Sequence, residues 1–100
     1  MAGKPGSYNV ATHTEASATA TTSAALAASD KRAYAMFQND GDNDVYLRLG
    51  EAAIKNEGIL INANGGSYEI SDRLGNLFLG AVNCITASGT SVVLVLEGTN

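Results

Sequence analysis

Between residues 32 and 70, short apolar runs alternate with clusters of Gly, Asn and Asp. That is the grammar of a small antiparallel sheet. Residues 33–38 (AYAMFQ) predict the first strong strand. NDGDND follows at 39–44, with Asp40-Gly41 as a hairpin signal. Over 45–49 the alternation is clean. Val45, Leu47 and Leu49 share one face, Tyr46 and Arg48 the other, so the first three turn inward. A loop over 50–58 comes next, whose EAAIK could form one helical turn, and then a short strand over 59–62. Asn64-Gly65 marks a turn that calls for positive φ. Over 67–71, Tyr68 and Ile70 face one way and Glu69 the other. Residues 77–87 predict a longer strand bent at Gly80, 88–90 a tight turn, and 91–97 a closing strand. Its five consecutive apolar residues, 92–96, imply cover on both faces. The second cover is either the N-terminal part of the chain or another subunit.

The first residues have a different character. MAGKPGS is linker chemistry, mobile unless a partner holds it. Residues 8–29 are dominated by Ala, Thr and Ser. Their Ala content suits a helix, but the density of β-branched Thr favours an extended strand. Side chains this small bury little area, so the segment must lie against its own sheet or a neighbouring subunit. The division predicted is an extended or flexible arm over 1–22 and a β-domain over 23–100. The fold class is all-β: a single small antiparallel β-sandwich or jelly-roll-like barrel with an extended N-terminal arm. Its expected core is Phe37, Val45, Leu47, Leu49, Ile61, Ile70, Leu79, Val82, Ile85, Val93 and Val95.

Charge narrows the function classes. A net charge of −4 with six basic residues makes a poor phosphate neutraliser, which argues against direct nucleic-acid binding. No apolar run reaches the roughly 18–20 residues that span a bilayer, which argues against a membrane partner. The N-terminus has a Lys but no apolar stretch after it, as a secretory signal would, so assembly in the cytoplasm is expected. One cysteine excludes an internal disulfide framework.

Candidate chemistry is sparse. Asp40, Asp42, Asp44 and Glu51 fall at offsets used by calcium loops, but Val45 stands where such a loop needs Gly. The three aspartates remain a candidate for a loose surface cation site, set against a plain solvated turn. His13 is the only histidine and has no placed partners. Cys84, among apolar residues and without a basic neighbour, reads as a small buried hydrophobe. Asn64-Gly65-Gly66-Ser67 could cradle a phosphate, but no Lys follows and a strand pattern does. Arg32, Arg48 and Arg73 stand at strand edges or turns, as solvated charges or partners of acidic residues within or between subunits. No cofactor is expected, and no acid/base pair that would make the chain an enzyme.

From Arg32 onward the chain resembles a family of small bacteriophage virion proteins. The residues that carry the resemblance are Asp30-Lys31-Arg32 before an apolar strand, Gln38-Asn39-Asp40, Val45-Tyr46-Leu47, Leu49-Gly50, Gly58-Ile59, the string from Asn62 to Ile70 (NANGGSYEI), and Leu77 to Ala81. The resemblance implies a non-enzymatic structural protein of the particle. Two placements follow from it: a capsid decoration (cement) protein on the phage major capsid protein, or a tail, connector or fibre component with a ligand-binding role. Decoration is preferred, on the virion's capsid surface. The arm would contact a partner through Tyr8, Val10 and Thr12, with Arg32 and Arg48 as further interface residues. Proteins of this kind are often homotrimers.

Overall fold

The computed structural model describes residues 7–100. The expectation for the linker therefore falls, but for its last residue, outside the described residues. Eight strands make up the fold: β1 (Val10–Ala18), β2 (Ser23–Leu26), β3 (Arg32–Asn39), β4 (Val45–Leu49), β5 (Ile59–Ile61), β6 (Ser67–Ser71), β7 (Val82–Thr86) and β8 (Ser91–Thr99). They form two four-stranded antiparallel sheets, in the orders β1-β8-β3-β6 and β2-β7-β4-β5. The first strand pairs with the last, the second with the seventh, the third with the sixth and the fourth with the fifth. That is a long antiparallel ribbon rolled onto itself, the jelly-roll form of the sandwich.

The alternation read from the sequence sets the faces. Phe37, Ile70 and Val93 from the first sheet meet Val45, Leu47, Ile61, Val82 and Cys84 from the second in one core cluster. All are at most 1% exposed. Burying each large side chain among them contributes about 1.5–3 kcal/mol. Small residues complete the cluster where the sheets approach: Ala18, Ala25 and Ala35.

Several expectations need correction. Asp40-Gly41 is not a hairpin turn, because β3 and β4 belong to different sheets. Gly41 has no positive φ. It is small because a Cβ there would lie 2.2 Å from Ser91 Oγ. Asn64 and Gly65 do take positive φ, 62° and 113°. The loop over 50–58 forms no helix. The long strand expected over 77–87 is cut to Val82–Thr86. Leu79 is 41% exposed and leaves the core, Leu49 is only half-buried, and Ile85 is buried outside the central cluster. The reason at 77–81 is Arg32, whose guanidinium takes the carbonyls of Phe78 and Gly80 and draws that segment across the end of the sandwich. Gly80 is needed there, since a Cβ would come within 2.7 Å of the Phe78 ring.

The Ala/Thr-rich segment has the extended form expected of it. Of the two supports left open, it takes its own sheet: β1 pairs with β8 over nine residues without a register shift.

Candidate functional site

The acidic turn does not assemble a cation site. Asp40, Asp42 and Asp44 are all exposed. Asp44 Oδ1 accepts from the Ala63 amide at 2.8 Å, and Asp42 Oδ1 from Asn43 Nδ2 at 3.4 Å. Among the described residues no three acidic, His or Cys side chains converge as metal ligands would. The Asn64–Ser67 loop is no phosphate cradle either. The amides of Asn64, Gly65 and Gly66 donate to the carbonyls of Gly41, Asn39 and Asn62. What looked like an anion nest is a tie between two loops at one end of the sandwich.

Asn39 organises that end. Its side chain is fully buried at the end of β3. Nδ2 donates to Asn43 O at 2.7 Å and Ile61 O at 3.1 Å, and Oδ1 accepts from Gly41 N at 3.0 Å. Arg32 organises the other end. Its side chain has no solvent exposure and its Nε donates to Glu97 Oε2 at 2.9 Å. Its terminal nitrogens donate to the carbonyls of Phe78, Gly80 and Ala27. Arg32 is therefore neither the solvated charge nor the open interface residue that its sequence position suggests. Arg48 remains near the surface, with Nη2 3.3 Å from Glu51 Oε1. An exposed i,i+3 pair of this kind contributes little to stability.

Cys84 is buried in the core, and burial pushes its thiol pKa up, with a weaker opposing effect from the Ser23 hydroxyl. A thiol that resists ionisation is a poor nucleophile. His13 is exposed on β1.

The surface that stands out is the outer face of the first sheet. β8 alternates there: Val93 and Val95 point into the core, whereas Val92, Leu94 and Leu96 point away from it. Among the described residues the double cover expected for 92–96 is therefore incomplete, because β1 lies beside β8 rather than over it. Cross-strand register places Met36 and His13 on either side of Leu96, and Gln38 and Glu15 on either side of Leu94. These six side chains line an open groove of about 390 Å³.

Tyrosines close one end of this face. The Tyr8 and Tyr34 rings stack at 5.7 Å and 15°. Tyr8 lies over Gly98, where a Cβ would meet its ring at 2.4 Å. Tyr8 thus packs on its own sheet, while Val10 is 52% exposed and Thr12 exposed on β1. Tyr34 Oη donates to Glu69 Oε2 at 2.7 Å. That bond, with burial and the Glu69 charge, pushes the Tyr34 pKa up to about 12. The unfolded phenol ionises near its ordinary value of about 10. The unfolded state then loses this proton first, so stability falls as pH rises from about 10 towards 12 and levels off above that. In a spectrophotometric titration of the folded protein, one tyrosine should ionise near 12. Glu69→Gln should return it towards 10. An unchanged titration in that variant would dissociate the shift from Glu69.

Among the described residues, no helix is long and apolar enough to cross a membrane. No family model, no curated protein and no solved structure matches this chain.

Proposed function

We propose that the chain is a non-enzymatic bacteriophage virion protein, a capsid decoration (cement) protein that bridges and stabilises major capsid subunits. The observation that carries the reading is the apolar stripe of Val92, Leu94 and Leu96, left uncovered by the described residues on an interior strand of the first sheet. Exposed apolar patches rimmed by polar residues mark interaction surfaces. The rim here is His13, Glu15 and Gln38. Jelly rolls occur in capsid and lectin domains alike, so the fold is compatible with the reading without selecting it. The resemblance of the chain from Arg32 onward to small virion proteins supplies the rest.

The mechanism is mechanical. A sheet face docked across a junction between capsid subunits resists their separation, and repetition over many junctions multiplies modest contacts. In the tail, connector or fibre reading, the same face would serve a different virion partner.

The test is to mix purified protein with empty phage shells that lack it, then sediment and image them. Regular density over the shell is the expected result. Density confined to one vertex, or none on the shell, would overturn decoration and move the protein to the tail or connector. Leu94→Asn should weaken shell binding by about tenfold or more with the fold intact, as truncation of a central contact does.

A further inference from the structure

We propose that β1 is a self-association edge, pairing antiparallel about a two-fold axis with β1 of a second copy of this chain. The sandwich has four edge strands, and three are blunted. β5 has three residues, and β2 has four with a register shift within them. β6 has five residues, and two of its outward backbone groups are already engaged: Asn76 Nδ2 donates to Glu69 O at 3.0 Å, and its Oδ1 accepts from Ser71 N at 2.9 Å. Short edges, irregularities and covering groups are how sheets avoid unwanted pairing. Among the described residues β1 has none of them. It is nine residues long, regular, and free of proline and lysine.

The phase of its hydrogen bonds follows from the neighbouring ladder. Asp40 N donates to Val92 O, which turns the even-numbered groups of β8 towards β3. The odd-numbered groups of β8 therefore face β1. Across the β1·β8 register they bond Val10, Thr12, Thr14, Ala16 and Ala18. Ala11, His13, Glu15 and Ser17 then direct their N–H and C=O groups to the open margin.

Those residues are self-complementary in one register. Centred on Thr14, antiparallel pairing sets His13 opposite Glu15 of the second copy, Glu15 opposite its His13, and Ala11 opposite its Ser17. Each is a pair of outward-facing residues, so each forms the reciprocal pair of ladder bonds. Shifting the centre to Glu15 would oppose two carboxylates, which is destabilising. Shifting it to His13 would oppose two imidazoles and leave both Glu15 carboxylates against alanine. The favoured register also sets the exposed Val10 opposite Ala18 of the second copy, at the covered end of that strand. The outer faces of the two copies become continuous across the axis, with both Leu94–Leu96 stripes on one side.

Three variants test this without disturbing the internal ladder. Thr14 would face itself across the axis as a non-hydrogen-bonded pair, at about 4.5 Å between Cα atoms, within disulfide range. Under mild oxidation Thr14→Cys should form a covalent dimer at least about tenfold faster than Thr12→Cys, which faces Ala16 instead. Cys84 is buried and does not compete. Glu15→Pro removes only an outward N–H, a change tolerated on edge strands, and should weaken the dimer by about tenfold or more in sedimentation equilibrium. Circular dichroism and thermal melting check that it folds. A monomer or a trimer across ~1–500 µM, where edge contacts of this small size associate, would overturn the proposal. Equal cross-linking at positions 12 and 14 would do the same.

Discussion

Arg32→Ala is expected to destabilise the fold by about 3–5 kcal/mol, because it removes a fully buried guanidinium paired with the part-buried carboxylate of Glu97. The structure makes the reason specific. The guanidinium bonds Glu97 and three backbone carbonyls, from Ala27, Phe78 and Gly80. An alanine leaves the carboxylate and all three carbonyls without this donor. Buried groups left unpaired carry the full desolvation penalty. A small domain has about 5–15 kcal/mol in total, so the loss is a large fraction of it. Arg32→Lys should recover only part, since an ammonium cannot present the same planar fork of donors. Urea denaturation would show the effect as a lower midpoint with an unchanged slope. A change below about 1 kcal/mol, the range of an exposed pair, would mean that the guanidinium is solvated and that segment 77–81 is held by other means.

Asn39→Ala should cost about 2–4 kcal/mol by the same logic at the opposite end. Its carboxamide satisfies two carbonyls and one amide from two stretches of chain, the loop that follows β3 and the end of β5. The substitution also loosens the crossing from β3 to β4, where the chain leaves one sheet for the other. Asn39→Asp is a sharper probe. It keeps the acceptor for Gly41 N but turns the donor towards Asn43 O and Ile61 O into another acceptor. At neutral pH it should destabilise at least as much as alanine. Its stability relative to the parent should improve as pH falls and the carboxyl regains a donor. Matched denaturation curves at neutral and acid pH separate these outcomes. An aspartate variant as stable as the parent at neutral pH would remove Asn39 Nδ2 from any structural role.

Both residues show where local reading stops. Arg32 stood in a polar tripeptide, Asp30-Lys31-Arg32, and its neighbours suggested a solvated turn. Three of its four partners lie 46, 48 and 65 residues away in the chain. Asn39 stood in NDGDND, where an Asn is ordinary turn chemistry. Its burial depends on β5 arriving over it. The candidate surface was half legible. Five consecutive apolar residues at 92–96 announced a strand needing cover on two faces. Whether the Ala/Thr segment supplied that cover depended on whether it lay over β8 or beside it, and side-chain type is silent on that choice.

What the sequence determined by itself is the alternation. Val45-Tyr46-Leu47, Tyr68-Glu69-Ile70 and Phe37 state which side of each strand is buried, because side chains alternate with a period of two whatever the strand pairs with. Asn64-Gly65 likewise states positive φ locally, because the steric cost is local. What only the tertiary structure decided is partnership. Every sequence-adjacent pair of strands except β4 and β5 is divided between the two sheets. The pairings that hold the sandwich, β1 with β8 and β2 with β7, join the ends of the chain. Such contacts are selected by how the whole apolar surface closes, not by any short stretch of it. The same closure exposes Leu79, buries Arg32, and among the described residues leaves β1 as a long edge strand of the first sheet.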